Sequence, residues 1–199
     1  MRAKLLLASS NAGKLREFRT MAASLECVNE IELDLLAKFN ELPRFAEGAP
    51  TFAENAAGKV LHYSRFSEGL IVADDSGLVV PALGGAPGVR SARYAGENAS
   101  DAQRNAKLLY ELRGKTGDAR NAKFLCVIAA AKQGRMLAVV SDYVDGAITE
   151  MSSGAGGFGY DPIFHLARAH RTFAELSATE KNAVSHRGKA FRKLCAALV

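Results

Sequence analysis

Two adjacent carboxylates, Asp74 and Asp75, separate two apolar runs of the chain. Residues 70–73 have the apolar, β-branched character of a buried strand, and three apolar residues follow Ser76-Gly77. Acids at the end of such a strand lie near a low-dielectric interior, which a divalent metal or a proton-transfer task would explain. Because adjacent strand residues point to opposite faces, we expect one carboxylate to face a site and the other to cap a turn or bind backbone. The alternative is ordinary turn chemistry in the Asp-Ser-Gly sequence.

A second candidate is the segment Ser9-Ser10-Asn11-Ala12-Gly13-Lys14, at a predicted junction of strand, loop and helix. The backbone N–H groups at a helix start favour an anion, and Lys14 adds a positive charge. The segment is not a P-loop, because Ala8 and Leu15 stand where that motif needs Gly and Ser or Thr. We therefore predict a phosphate site outside the P-loop class. The alternative is a plain turn with a surface lysine.

The most unusual loop is rich in glycine, with four glycines among residues 154–159. Glycine lets backbone approach a ligand closely, and Phe158 and Tyr160 could then present a ring face to a nucleobase. In the alternative interpretation, the loop is flexible and its aromatic side chains pack into the core.

A third group of candidates lies near the C-terminus, where Lys181 precedes Ser185-His186-Arg187. A site that reads the edge of a base needs donors in fixed positions, and these residues supply them. The alternative is that Lys181 lies on a solvated helix face and His186 ends a helix. The remaining histidines show no metal-ligand spacing such as HExxH, so we interpret them as structural or surface residues.

Local patterns predict an α/β fold with a mixed sheet and flanking helices. Strands are expected near residues 4–9, 25–28, 70–73, 91–94, 122–131 and 136–144. Helices are expected over residues 14–24, 51–66, 100–113 and 186–198, with capping boxes beginning at Thr51, Ser100 and Ser177. Residues 31–50 are expected to be irregular.

Composition is typical of an ordinary globular protein, with 48% hydrophobic and 24% charged residues. The length of 199 residues predicts a single domain, residues 1–199. A net charge of +5, spread along the chain, is too weak to predict a nucleic-acid partner. Cys27, Cys126 and Cys195 lack CxxC spacing and predict reduced thiols in a cytoplasmic protein. No apolar run approaches the ~18 residues of a membrane helix, so no membrane partner is expected.

Taken together, these stretches resemble the inosine triphosphatase family, the pyrophosphatases of non-standard purine nucleoside triphosphates. The matching motifs are Ser9-x-Asn11-x-x-Lys14, Thr51-Phe52-x-Glu54-Asn55-Ala56, Ala73-Asp74-Asp75-Ser76-Gly77-Leu78, Gly84-Gly85-Ala86-Pro87-Gly88-Val89, Ser91-Ala92-Arg93-Tyr94, Gly157-Phe158-Gly159-Tyr160-Asp161-Pro162-Ile163-Phe164 and Ser185-His186-Arg187. They cover nearly the whole chain in the family's order, and the ordered set is highly specific.

The resemblance implies an elongated, two-lobed inosine-triphosphatase-like fold with a central cleft, a Mg²⁺ cofactor and a homodimer. It implies that Asp75 is the general base and a metal ligand, and that Ser76 touches substrate. The implied nucleotide contacts are Ser9, Ser10, Asn11, Ala12, Gly13, Lys14, Phe158, Gly159, Tyr160, Asp161, Lys181, His186 and Arg187. The family also carries a metal-binding glutamate before its Thr-Phe pair, and Glu47 is the only near candidate here.

The sequence is therefore expected to encode a cytoplasmic, Mg²⁺-dependent enzyme that converts ITP, dITP and XTP to the monophosphate and pyrophosphate. Water would attack the α-phosphorus while Asp75 orients or deprotonates it. One alternative is a nucleotide pyrophosphatase with another base preference, such as modified pyrimidines. Another is a non-catalytic nucleotide- or RNA-binding module, which Asp74 and Asp75 disfavour because they repel phosphate unless a metal intervenes.

Overall fold

The computed structural model describes residues 3–24 and 31–198. One seven-stranded sheet runs through it in the order β2-β1-β3-β4-β5-β6-β7. Its strands are β1 (Ala3–Leu7), β2 (Ile31–Leu35), β3 (Leu70–Val79), β4 (Asn121–Lys132), β5 (Arg135–Ile148), β6 (Phe164–Leu166) and β7 (Arg171–Thr172). Strand β1 pairs in parallel with β2 and β3, and the remaining pairs are antiparallel. The predicted mixed sheet is confirmed.

Five α-helices flank the sheet in the described part of the chain: α1 (Ala12–Ser24), α2 (Phe52–Tyr63), α3 (Asp101–Glu111), α4 (Ala178–Val184) and α5 (His186–Leu198). The capping boxes predicted at Ser100 and Ser177 are both complete. At Thr51 the hydroxyl accepts the N–H of Glu54, but the Glu54 carboxylate accepts from that hydroxyl and not from backbone. Local side-chain signals thus begin three of the helices where the sequence predicts them.

Strand β3 passes between separate hydrophobic cores. Val72 packs in one core with α1 and α5, and Leu78, on the same face of β3, packs in a second core with α3 and β6. Asp74 and Ser76 lie between them on that face. On the opposite face Ile71 packs with α2 in a third core. The polar gap between the first two cores matches the predicted two lobes and central cleft.

The acidic pair differs from the sequence-based expectation in one respect. Asp74 and Asp75 do not end a strand and do not form a turn; they are mid-strand residues paired with Ile128 and Val127 of β4. The strand continues through Gly77, where an added Cβ would lie 2.6 Å from the Gly88 carbonyl oxygen. Glycine is needed there because backbone packs directly against the strand.

Two local predictions were wrong. Residues 31–50 are not all irregular, because Ile31–Leu35 forms β2. Its alternating Ile, Glu, Leu, Asp, Leu sequence suits an edge strand with one face covered. The strand predicted near residues 91–94 is instead part of a 3₁₀ helix, Gly88–Arg93, in which the Ser91 hydroxyl donates to the Gly88 carbonyl at 2.7 Å. The strand predicted near residues 25–28 lies outside the described residues.

Cys126 and Cys195 are buried in the core, and Cys27 lies outside the described residues. Burial raises the pKa of the Cys126 thiol, which keeps it protonated. Among the helices of the described segments, none combines the length and apolarity that crossing a bilayer requires.

Candidate active site

The alternation of β3 sends its two carboxylates into different environments, as predicted. Asp74 faces α1 and α5, where its carboxylate lies 2.9 Å from the Lys14 ammonium. Asp75 points to the α2 side and lines a cavity with Glu47 and Lys59. The expectation that one acid faces a site therefore fits Asp75. Asp74 pairs with cationic side chains and does not cap a turn.

We call the space beside Asp75 the polar cavity, which has a volume of about 340 Å³. Its lining includes most of the residues that were predicted to bind phosphate or metal: Ser9, Ser10, Asn11, Lys14, Glu47, Asp75 and Ser76. Ala12 and Gly13 lie at the start of α1 beside it. The Asn11 side chain accepts the Lys14 N–H at 2.9 Å, which caps the helix and holds Lys14 at the cavity.

The Asp75 carboxylate is left partly unsatisfied by the protein. One oxygen accepts the Ser76 N–H at 3.0 Å. The other oxygen, Oδ2, is buried and has no hydrogen-bond partner among the described residues. Burial raises the pKa of Asp75 to about 6, while Lys14 and Lys59 oppose that rise. A buried acceptor with a raised pKa suits a group that takes a proton or a metal ion.

The residues of the polar cavity fit a Mg²⁺ site completed by substrate. Glu47 and Asp75 supply hard carboxylate oxygens, and Mg²⁺ is commonly held by one or two carboxylates together with phosphate oxygens and water. Within residues 3–24 and 31–198, no cluster of three or more His, Cys, Asp or Glu residues could hold a metal alone. The orphaned Asp75 Oδ2 is the observation that favours a cation here.

Lys59 is a site residue that sequence reasoning missed. Its ammonium forms an ion pair with Glu47 and donates to the Asp74 carbonyl at 3.0 Å. Burial would lower the pKa of Lys59, but Asp74 and Glu47 raise it, so the side chain is charged. A sequence signal existed, since Lys59 continues the apolar helical stripe of Phe52 and Ala56.

A second space, the aromatic cavity, adjoins the polar cavity and has a volume of about 90 Å³. The two share Asn11, Lys14, Ser76 and Ala92 in their linings. The aromatic cavity is lined by all the nucleotide contacts predicted in the glycine-rich loop and near the C-terminus: Phe158, Gly159, Tyr160, Asp161, Lys181, His186 and Arg187. The structure thus brings together the three candidate stretches that the sequence analysis identified separately.

The Phe158 ring closes the aromatic cavity against α1. An added Cβ at Gly13 would lie 2.7 Å from this ring, so glycine is required at that position. The Lys181 ammonium lies 5.0 Å from the ring centroid, within cation–π range. Tyr160 differs, because it is only 3% exposed and its hydroxyl donates to the Ser91 carbonyl at 2.9 Å. Tyr160 therefore packs into the core, as the alternative interpretation of this loop predicted, whereas the Phe158 ring faces the cavity.

Six charged side chains linked by ion pairs form what we call the buried charge cluster: Lys14, Glu17, Asp74, Asp161, Lys181 and Arg187. Lys181 lies 2.5 Å from both Glu17 and Asp161. Arg187 pairs with Glu17 and donates to the Ser76 hydroxyl at 2.7 Å. Three cations therefore face three carboxylates, which compensates the cost of their burial.

The cluster controls the charge state of its members. Burial would raise the pKa of Asp74, but Lys14 and Arg187 hold it well below its usual range. Burial likewise opposes ionisation of Glu17, and Arg187 and Lys181 outweigh it. Sequence reasoning missed Glu17, although it lies one helical turn from both Gly13 and Met21 on the buried face of α1.

His186 is a neutral side chain in the aromatic cavity. Its ring stacks on Phe124, with centroids 4.7 Å apart and planes 6° apart. Burial lowers its pKa well below 6.5, and Arg187 and Lys181 act in the same direction. Its Nδ1 atom is buried with no hydrogen-bond partner in the described part of the protein. In a neutral ring this nitrogen can donate a hydrogen bond to a ligand or accept one from it, depending on the tautomer.

The chain is similar to a known protein family over nearly its whole length. The family model described as the Ham1 family matches residues 5–197. This chain belongs to the Ham1 family. The family resemblance drawn from the sequence motifs is thereby confirmed.

Relatives of this Ham1 protein are similar over nearly its whole length. A dITP/XTP pyrophosphatase of Geobacillus kaustophilus is 50% identical over 191 residues, which cover 96% of this chain and 92% of the relative. A dITP/XTP pyrophosphatase of Desulfotalea psychrophila is 45% identical over 190 residues, covering 96% and 82%.

Solved structures agree with the fold of this Ham1 protein. The HAM1 protein of Coxiella burnetii superposes with a TM-score of 0.85 at 39% identity, covering 98% of both chains. The Ham1 protein of Staphylococcus aureus superposes with a TM-score of 0.84 at 36% identity, covering 98% of this chain and 97% of the other. The predicted α/β architecture is confirmed.

Proposed function

We propose that this Ham1 protein hydrolyses ITP, dITP and XTP to the monophosphate and pyrophosphate. The observation that carries the proposal is the junction of two unlike cavities, one aromatic and rich in donors, the other lined by cations and carboxylates. A nucleobase suits the first and a triphosphate with its metal suits the second. The names of the dITP/XTP pyrophosphatase relatives support the same substrate class.

In the proposed reaction, a water molecule attacks the α-phosphorus. The Asp75 carboxylate, which lines the polar cavity, orients this water and accepts its proton. The bond from the α-phosphorus to the bridging oxygen breaks, and pyrophosphate leaves. Lys14 and Lys59 line the polar cavity and offset the charge of the polyphosphate. Mg²⁺ held by Asp75 and Glu47 would neutralise phosphate charge and lower the barrier to attack.

Product analysis tests the proposed function. With ITP and Mg²⁺, we expect IMP and pyrophosphate as initial products, with ¹⁸O from labelled water appearing in IMP. The reason is that the chain lacks a P-loop, which would hold the β- and γ-phosphates for transfer of the γ-phosphoryl group. Release of phosphate and IDP would contradict the proposal. Turnover only with modified pyrimidine triphosphates would favour another base preference, and binding without turnover would indicate a binding module.

Replacing Glu47 with glutamine should raise the Mg²⁺ concentration needed for half-maximal activity. We expect an increase of about 10-fold or more, since even residues outside the first ligand shell commonly change metal affinity by that factor. Activity measured across a Mg²⁺ titration checks this. Glu41→Gln is the matched control, because Glu41 is an exposed acid of the same segment and does not line the polar cavity. An unchanged requirement would remove Glu47 from the metal site.

We further propose that the protein is cytoplasmic and forms a homodimer. Its cofactor would be Mg²⁺, and it would bind a nucleotide substrate but neither nucleic acid nor membrane. Leu137, Val139 and Tyr143 on β5 are each 48% exposed, and such an apolar stripe supports association with a second copy. Sedimentation velocity at micromolar concentration should give the mass of two chains. A single-chain mass would contradict the homodimer.

A further inference from the structure

One helix, α3, contacts both the backbone N–H and the backbone carbonyl of Gly159. The Asp101 carboxylate accepts the Gly159 N–H at 2.6 Å. The Asn105 side-chain amide donates to the Gly159 carbonyl at 3.1 Å. Asp101 and Asn105 are one turn apart on α3, so a single rigid face provides both contacts.

This loop depends on outside contacts for its position. Its glycines restrict the backbone little, and Gly159 has a φ of +63° with no heavy atom near enough to contact an added Cβ. The start of the loop is held by the Gly156 N–H on the Ala174 carbonyl at 2.9 Å. The Phe158 N–H donates to Asp161 at 2.8 Å. The two contacts from α3 fix the backbone on both sides of the Gly159 Cα, directly after Phe158.

A third residue of α3 links the opposite wall of the cavity. Arg104 lines the aromatic cavity, pairs with Asp101 and donates to the Ala92 carbonyl at 3.1 Å. Ala92 lines both cavities. The first two turns of α3 therefore join the loop that carries Phe158 to the segment that carries Ala92.

We propose that Asp101 and Asn105 are positioning residues for base recognition. By fixing the Gly159 backbone, they hold the Phe158 ring in place beside Gly13, where it lines the aromatic cavity that would bind the base. They do not contact the reacting phosphorus, and their effect passes through the Phe158 loop. This inference rests on the proposed function, since a base must bind beside Phe158.

The direct test is the Asn105→Ala variant assayed with ITP. We expect KM to rise roughly 3- to 10-fold, the value of one sheltered hydrogen bond, with kcat within about twofold. Asp101→Ala should have a larger effect because it removes a charged acceptor, and Asp101→Asn, which keeps an acceptor oxygen, should partly restore KM. Binding of inorganic pyrophosphate, measured by calorimetry, should be unchanged in all three variants.

Gln103→Ala is the matched control for a general loss of helix stability. Gln103 completes the capping box of α3 but makes no contact with Gly159. An equal rise in KM in this control would assign the effect to helix stability and overturn the proposal. So would a fall in pyrophosphate affinity equal to the loss for ITP.

Hydrogen exchange separates this inference from the proposed function. In Asn105→Ala, amide protection of residues 156–161 should fall while that of β4 stays unchanged. This readout needs no turnover, so it remains valid if the wild-type protein fails to hydrolyse ITP. Unchanged protection of the loop would contradict the positioning role even if the enzyme is active.

Discussion

Replacing Asp75 with asparagine should lower kcat for ITP by about 10²–10⁴-fold, the usual contribution of a general base. Asparagine has nearly the same shape but cannot accept the proton from water. It also removes a charged ligand from the proposed metal site, which adds to the loss. Its oxygen can still accept the Ser76 N–H, so the fold should persist. Steady-state kinetics together with thermal unfolding of the variant measure both expectations.

Asp145→Asn is a matched control for the Asp75 variant. Asp145 is also a strand aspartate, but its side chain is 70% exposed and lies on β5. Its activity should equal that of the wild-type protein. If Asp75→Asn retains activity within threefold of wild type, Asp75 is not the general base. If the unfolding temperature of the Asp75→Asn variant falls far below that of the wild-type protein, the loss of activity is explained by the loss of the fold.

Replacing Arg187 with alanine should have the second large effect, on both stability and base choice. Arg187 is 3% exposed and balances Glu17 and Asp74 within the buried charge cluster. Its removal leaves three carboxylates facing two cations, and an uncompensated buried charge costs roughly 3–5 kcal/mol. Chemical denaturation should show a loss of this size in the free energy of unfolding.

The same variant should reduce the preference for ITP over ATP. Hypoxanthine presents an acceptor oxygen at position 6, whereas adenine presents an amino donor there. Donors in the aromatic cavity match the oxygen and leave the amino group unpaired, and two such mismatches correspond to roughly 10²–10⁴-fold discrimination. Activity on ITP should therefore fall while the poor activity on ATP barely changes. Guanine carries the same oxygen, so this argument applies to ATP alone.

Lys193→Ala is the control for the Arg187 variant. Lys193 is a cation of the same helix, α5, but its side chain is 58% exposed and it contacts Asp142 at the surface. It should change neither the stability nor the ratio of ITP to ATP activity by much. If Arg187→Ala lowers both activities by the same factor, Arg187 acts on phosphate or on the fold, and this account of base reading is wrong.

The parts of the fold that were predicted correctly are those with local signals. The capping boxes at Ser100 and Ser177 begin α3 and α4. Each box joins two residues that are only three positions apart, so it can be recognised from the local sequence. The placement of Asp74 within β3 was missed because it depends on pairing with β4, more than fifty residues away. Nothing in the local Asp-Ser-Gly sequence distinguishes a turn from a strand that continues under a long-range partner.

The candidate site shows the same division. His186 and Arg187 stand in a compact motif, and the structure places both in the aromatic cavity. Glu17 and Lys59 belong to none of the motifs recognised in the sequence, and their ion-pair partners Lys181 and Glu47 are distant from them in the sequence. Each does interrupt an apolar helical stripe, so charged residues at core positions were the available signal.

The opposite orientations of Asp74 and Asp75 have an evolutionary consequence. Under the proposed function, substitutions on the α2 side are expected to alter reaction rate and to leave base recognition on the other side intact, because the strand separates the two carboxylates. Substitutions around Asp74 are likewise expected to alter substrate range without changing the proposed proton acceptor. Lys14 lines both cavities, so a change there is expected to affect both traits at once. Rate and substrate range are therefore expected to diversify separately among related chains, except at residues such as Lys14 that line both cavities.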